Sequence, residues 1–440
     1  MFIRDVVKEI WEPVSKKFNE EYERAVSLSA LDLYRQVEND EMAFYQYPRT
    51  HMNLFNTCGC SYSTREGYFA GCSMCDYQPD TVVSEARLKA LREKDPYLYG
   101  KALCKSFKNV RGSCSEPSLF ELFSSYDFLD LQEYPDEALE ELFLANKLLR
   151  RRPFKYIFEA RASSVSKDSL ERLKKYVGKD SRVQIEIGVE VADEWIRNHW
   201  LNKGIYNHSI ISAVDAIHDA GFEASGNVLI GLPGLTEEQS IKLFKQTIRW
   251  LESIGVDHYI CLPLNRKERT LQGFLYNNLK NNSCLKELGI AQGEHTGLLW
   301  KFTVIEALCS IIRDNPERMH KIEIAQITES QNSINNRIAF NYDSDCTCNA
   351  KIENALTAYQ SEKSLEKLEA VRRETYNDVC YKMYMELLKK QEKSGDILQT
   401  IYQTGKEIAK VLWPDKWQAA LKLLENEILV GKILYYSINN

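Results

Sequence analysis

Residues 182–233, "RVQIEIGVEVADEWIRNHWLNKGIYNHSIISAVDAIHDAGFEASGNVLIGLP", contain two apolar runs of strand length, "RVQIEIGVE" (182–190) and "EASGNVLIGLP" (223–233). Between them lies a helix candidate, "NHSIISAVDAIHDAG" (207–221), with Asn207 suited to its opening cap and Gly221 to its stop. A strand, a helix and a second strand in this order pair the strands in parallel through a right-handed crossover. The alternation continues outward. "HMNLFNT" (51–57), "SLFELFSS" (118–125) and "FKYIFEA" (154–160) precede the stretch and "DHYICLPL" (257–264) follows it, six strand-like runs in all. "PDEALEELFLANKLLRR" (135–151), "SKDSLERLKKYV" (166–177) and "LTEEQSIKLFKQTIRWLESIG" (235–255) supply further helices, the second capped by Ser166 or Asp168. This pattern predicts an α/β barrel or an open α/β sheet, with any active site at the C-terminal ends of the strands.

The flanks differ. Val6, Val7, Ile10, Trp11, Val14 and Phe18 recur at helical spacing, with a break expected at Pro13, which predicts a helical extension over residues 1–48. The α/β unit then spans 49–284, and 285–440 reads as mostly helical and amphipathic. At 440 residues and 44% hydrophobic, the chain is long enough for one large core and a smaller one. Charges interrupt the N-terminus every few residues, so neither a signal peptide nor a membrane span is expected, and the expected location is the cytoplasm. A reducing compartment keeps the 12 cysteines as thiols, so a local cluster reads as a metal or catalytic site before it reads as disulfides. The net charge of -6 gives no general attraction for phosphate backbones.

Four cysteines crowd "NTCGCSYSTREGYFAGCSMCDY" (56–77), directly after the first predicted strand. Closely spaced thiolates on a glycine-containing loop suit an iron–sulfur cluster or zinc, although a Cys-x2-Cys pair alone also occurs by chance. At later strand ends stand "LFSSYDFLD", "FEARASSVS", "EIGVEVADEWIRNHWLNKG" and "NVLIGLPGLTEEQS". Taken singly, Glu190 is also a helix-start carboxylate and Arg161 a solvated strand-end charge. Their order at successive strand ends carries the functional reading.

Together, "TCGC" (57–60), "GCSMC" (71–75) and these strand-end segments resemble the radical S-adenosylmethionine (SAM) enzymes, in particular the Elongator-like branch and, within it, the archaeosine-pathway tRNA radical enzyme type. The resemblance implies a partial (β/α)6 radical-SAM barrel with an N-terminal helical extension and a mostly helical C-terminal region. It implies that Cys60, Cys72 and Cys75 hold a 4Fe-4S cluster while Cys58 stands aside. It places Met74, Ser124, Ser125, Glu190, Asn227 and Leu229 around S-adenosylmethionine, and Glu159 and Arg161 near the methionine carboxylate or the substrate. "NKG" (202–204) follows Glu190 as it does in the family. The implied chemistry is reductive cleavage of S-adenosylmethionine and hydrogen abstraction by a 5′-deoxyadenosyl radical, fed by an electron donor such as flavodoxin or ferredoxin.

The resemblance extends to a C-terminal cysteine pair, here Cys346 and Cys348, where a second metal would need a further ligand such as His320 or another cysteine. The remaining cysteines, Cys380 among them, show no paired spacing and read as core. Basic clusters are short, "KLLRRRPFKY" (147–156) and "NRKERT" (265–270), so a small amino-acid-like or metabolite substrate is expected ahead of a modified nucleoside in tRNA. The competing reading is a non-radical zinc-binding interaction protein in which Cys58, Cys60, Cys72 and Cys75 close a four-thiolate site.

Overall fold

The computed structural model describes residues 1–47, 49–65, 67–75, 81–112, 116–124, 126–145, 148–325, 339–340 and 346–438. Each of the six apolar runs forms a strand of one eight-stranded sheet. The strands are β1 (Ala43–Gln46), β2 (Thr50–Leu54), β3 (Phe120–Ser124), β4 (Lys155–Ala160), β5 (Val183–Glu190), β6 (Glu223–Ile230), β7 (His258–Pro263) and β8 (Ile322–Ile324), in that spatial order. From β2 to β8 every pairing is parallel, whereas β1 is an antiparallel edge on β2. The sheet is an open, curled half-barrel, the partial barrel the sequence predicts.

Two faces of the sheet differ in chemistry. One face carries Phe123, Phe158, Ile185, Ala224 and Val228, all fully buried, and packs against the crossover helices. The other carries Ser124, Glu159, Glu186, Asn227 and Leu229, alternating residue by residue with the first set as a pleated strand requires. The concave face is therefore polar.

Several local expectations change. The helix α1 (Phe2–Val26) runs on through Pro13, because burial of Val6, Val7, Trp11, Val14 and Phe18 outweighs the single backbone bond that the proline cannot donate. The segment after Pro135 is α-helical only over Asp136–Leu139 and π-helical over Glu140–Ala145. Ser166, and not Asp168, caps the helix Lys167–Val177, in a reciprocal capping box with Ser169. Tyr206 is the capping position before Asn207, whose side chain instead accepts from Arg197 Nη2 at 2.6 Å. Strands β1 and β8 lie in flanks read as helical. Both are too short, at four and three residues, to impose a period on the sequence.

Among the described residues, six α-helices follow from residue 301 onward. They are α2 (Lys301–Asp314), α3 (Cys348–Glu362), α4 (Leu365–Glu374), α5 (Val379–Gln391), α6 (Ile397–Leu412) and α7 (Trp417–Ile438). No described helix is long and apolar enough to cross a membrane.

Candidate functional site at the strand ends

The cysteine loop leaves β2 and folds across the C-terminal ends of the strands, held down by backbone and side-chain bonds to residues 200–204. Ser73 N donates to Leu201 O at 2.9 Å, and Ser73 Oγ donates to Trp200 O at 2.9 Å. Asn202, with φ +53°, sends its Nδ2 to the carbonyls of Ala70 and Gly71 at 2.8 and 2.6 Å. Tyr62 OH donates back to Asn202 O at 2.7 Å, and a Cβ on Gly204 would sit 2.5 Å from that hydroxyl oxygen, so only glycine lets the turn close. The "NKG" segment is thus the clamp of the cysteine loop.

Under the loop lies a cavity of about 240 Å³. Cys60, Cys72 and Cys75 line it with Met74, Glu159, Arg161, Glu190, Asn227 and Leu229, so nine of the residues singled out from the sequence converge there. Ser124 reaches the site indirectly, its hydroxyl donating to Glu159 Oε2. Ser125 lies outside the described residues. Cys58 is not part of the lining, and its thiol is spent on Gln132 O at 3.2 Å. The structure therefore separates Cys58 from the other three.

Charge around the cavity comes as one buried ion pair and two further buried carboxyls. Lys203 Nζ meets Glu190 Oε1 at 2.7 Å with both side chains under 10% exposed. Burial opposes the lysine charge, yet the Glu190 and Cys72 sides outweigh it and hold Lys203 above its ordinary range. Glu190 sits at φ +66°, where β5 slips register against β6 between Gly188 and Glu190. A Cβ on Gly188 would come within 2.7 Å of Lys203 Nζ, so this ion pair needs a glycine beneath it. Arg161 lies with its guanidinium 3.9 Å from the Tyr62 ring centre and donates from Nη2 to Lys203 O at 2.6 Å. Burial raises the Glu159 carboxyl above its ordinary value, and burial with the neighbouring Glu159 and Glu323 raises Glu186 further. Burial also pushes the Cys60 thiol up to about 12, with the Arg161 charge acting the other way.

The donor set fits the groups that the sequence implies. Three thiols face one cavity and supply sulfur for iron. The buried Asn227 Oδ1 has no hydrogen-bond partner among the described residues, an acceptor left for a bound donor such as an amino group. Residues the sequence did not single out also line the cavity: Trp11, Tyr62, Glu186 and Lys267. Trp11 comes from α1, its ring 5.7 Å from that of Phe69, and the sequence showed it only as one apolar position of a helix face.

A second cysteine group lies far along the chain. Cys346 and Cys348 are joined by Cys380, and the three sulfurs lie within 4.8 Å of one another, close enough to hold a metal ion. His320 is not part of that group.

No family model matches the chain. An uncharacterized protein of Methanocaldococcus jannaschii is 25% identical over 307 residues, which is 70% of this chain and 74% of that one. Similar solved structures include the radical S-adenosylmethionine methyltransferase TsrM of Kitasatospora setae, at TM-score 0.40 and 12% identity, over 74% of this chain and 62% of that one. The Methanocaldococcus infernus Elp3 matches at TM-score 0.38 and 15% identity, over 62% of this chain and 60% of that one. Coproporphyrinogen III oxidase HemN of Escherichia coli matches at TM-score 0.32 and 13% identity, over 41% and 40%. TsrM and HemN are radical S-adenosylmethionine enzymes. The chain spans less than two thirds of each of these three structures.

Proposed function

We propose that this chain is a radical S-adenosylmethionine enzyme of the Elongator-like kind that modifies a small amino-acid-like or metabolite substrate. One observation carries the reading: three loop cysteines and the strand-end residues Glu159, Arg161, Glu190 and Asn227, scattered over some 170 positions of sequence, line the same cavity. When bound, a 4Fe-4S cluster and S-adenosylmethionine supply one-electron cleavage of a carbon–sulfur bond and a radical that abstracts hydrogen. Cys60, Cys72 and Cys75 hold the cluster. Glu159, fixed by Ser124, presents a buried carboxyl, and Asn227 presents an unused acceptor. Glu190 is held in place by Lys203, and Arg161 by Tyr62. Met74, Leu229 and Trp11 give the cavity apolar wall and keep water from the reacting atoms.

The choice of a small substrate draws on the neighbouring groove of about 1230 Å³, which shares Tyr62 with the cavity. Its lining sets the Arg4 and Lys242 side chains against the carboxylates of Asp193, Glu194 and Asp396, with no basic surplus for a nucleic-acid backbone. An external donor of the flavodoxin or ferredoxin type would deliver the electron in the cytoplasm.

Anaerobic reconstitution with iron and sulfide tests the proposal. The expected result is a brown protein absorbing near roughly 400 nm, where sulfur-to-iron bands fall, that releases 5′-deoxyadenosine on reduction with S-adenosylmethionine. Full zinc occupancy with no cleavage under strong reductant would overturn it. Turnover stimulated by total tRNA and not by a metabolite extract would overturn the substrate assignment alone.

A further inference from the structure

Below the strand ends, the concave face of the sheet carries a deeper polar level. Glu159 of β4, Glu186 of β5, Ser225 of β6 and His258 of β7 are register partners in succession, so four adjacent strands set polar side chains side by side at one height. Neighbouring strands lie roughly 4.8 Å apart, which brings the Glu159 and Glu186 carboxyls within reach of one cation. Glu186 stands four residues before Glu190 in β5, a rise of about 13 Å. The level therefore lies deeper in the half-barrel than Glu190 and the cysteine loop.

Its charge is not balanced from within. Glu159 accepts from the Ser124 hydroxyl, and Glu186 Oε1 accepts from Gln184 Nε2 at 3.2 Å, both neutral donors. Lys155 Nζ and His258 Nε2 turn instead to Glu223 Oε2, at 2.5 and 2.9 Å, and Lys203 turns to Glu190. Burial holds both carboxyls above their ordinary range, as it does for acids taken out of water without a counter-cation.

Ser225 supplies an independent observation. It is fully buried, and its Oγ has no hydrogen-bond partner among the described residues. Its place in the ladder sets it on the concave face between Glu186 and His258. Buried hydroxyls ordinarily find a partner. Two carboxyls without a cation and a hydroxyl without a bond stand together as three acceptors, and an ammonium group brings three donors and one positive charge.

We propose that this level binds a cationic nitrogen of the substrate, so that the enzyme acts on a small amine, with Glu186 as a specificity-determining residue. The proposal deepens the function proposed above and rests on it for the reaction, though not for the binding. An alcohol fits worse, because its single donor leaves acceptors unmet, and a carboxylate meets like charge. A site built from buried polar groups rejects ligands that lack the matching group far more strongly than an apolar wall rejects a wrong size. With its nitrogen held here, the substrate's carbon chain runs back toward the strand ends past Leu229 and Leu262, which line the cavity above.

The test uses the full chain, reconstituted with iron and sulfide and saturated with S-adenosylmethionine without reductant. Ligand-observed NMR then titrates it with n-butylammonium chloride, 1-butanol and sodium butyrate. Butylammonium should bind at least about tenfold tighter than either of the others, and Glu186→Gln should erase that preference. Glu366→Gln, at an exposed acid of α4, should keep it. If Glu186→Gln fails to fold, Ser225→Ala takes its place, with an expected loss of about threefold to tenfold, and the ranking of the three probes on the wild type needs no variant. Equal affinity for the three probes, an unchanged affinity in Ser225→Ala, or displacement of butylammonium by S-adenosylmethionine would each overturn the proposal. So would a preference kept in Glu186→Gln, as Asp193, Glu194 and Asp396 of the neighbouring groove would give. Absence of deoxyadenosine release under reduction would overturn the radical reading alone, because probe binding is read without it.

Discussion

The loop of Cys60, Cys72 and Cys75 and the trio of Cys346, Cys348 and Cys380 use the same ligand chemistry at different spacings. Among the described residues, the C-terminal trio alone brings three ligand sulfurs within 4.8 Å of one another. The loop cysteines instead surround a cavity and share it with carboxylates, an arginine and an unsatisfied amide. Tight spacing suits one ion in a sealed place, whereas wide spacing leaves room for a larger group and for what reacts beside it. The supports differ as well. The trio sits on helix starts, and the loop is tied by hydrogen bonds to the turn at 200–204.

The sharpest way to break this contrast is at the loop's own pair. Cys60→Ala should reduce S-adenosylmethionine cleavage to background, while Cys58→Ala should leave it within about twofold, since the Cys58 thiol bonds Gln132 outside the cavity. Deoxyadenosine release measures both, and the opposite ranking would exchange the two cysteines. Next in size, Lys203→Met strands Glu190 as a buried, unpaired charge and should cost about 3–5 kcal/mol in urea unfolding. A cost under about 1 kcal/mol would show that the clamp does not depend on the pair.

On the helical side, Glu237 joins the barrel to α2, its carboxylate accepting from Thr303, and burial raises it from 4.5 to about 7. The folded protein then holds a proton that the unfolded chain releases. Stability should therefore fall as pH rises from about 4.5 to about 7, by on the order of 3 kcal/mol. Glu237→Gln should flatten that slope in melting curves, and an unchanged slope would place its source elsewhere. The smallest effect belongs to Asn227→Ala. Because its Oδ1 has no partner among the described residues, stability should move by less than about 0.5 kcal/mol while S-adenosylmethionine affinity falls by about tenfold. Titration calorimetry with a denaturation control reads both.

The sequence showed those parts of the fold that local periodicity encodes. All six barrel strands stood out because each is a run of apolar or alternating residues ended by turn chemistry, and a one-directional alternation with helices leaves little choice of topology. Strand β8 has three residues and no such imprint. The candidate site was legible where strand ends could be counted, which covers Glu159, Arg161, Glu190 and Asn227. Trp11 and Cys380 were not, because each arrives from a distant helix whose docking no local pattern records. Cys380 stands 32 positions beyond Cys348, so spacing could not join them.

Trp11 also shows how the cavity depends on distant parts of the chain. The helix that carries it is anchored at its start, where Phe2 N donates to Glu427 Oε1 at 2.9 Å and the Phe2 ring lies 6.1 Å from Trp413. Trp11 itself, one turn or more further on, packs with Phe69, Val82 and Ala86, so the two ends of this helix lean on distant parts of the chain. A tag or fusion that disturbs the start of this helix should therefore loosen the Trp11 wall and yield protein whose reconstituted iron is lost quickly in air.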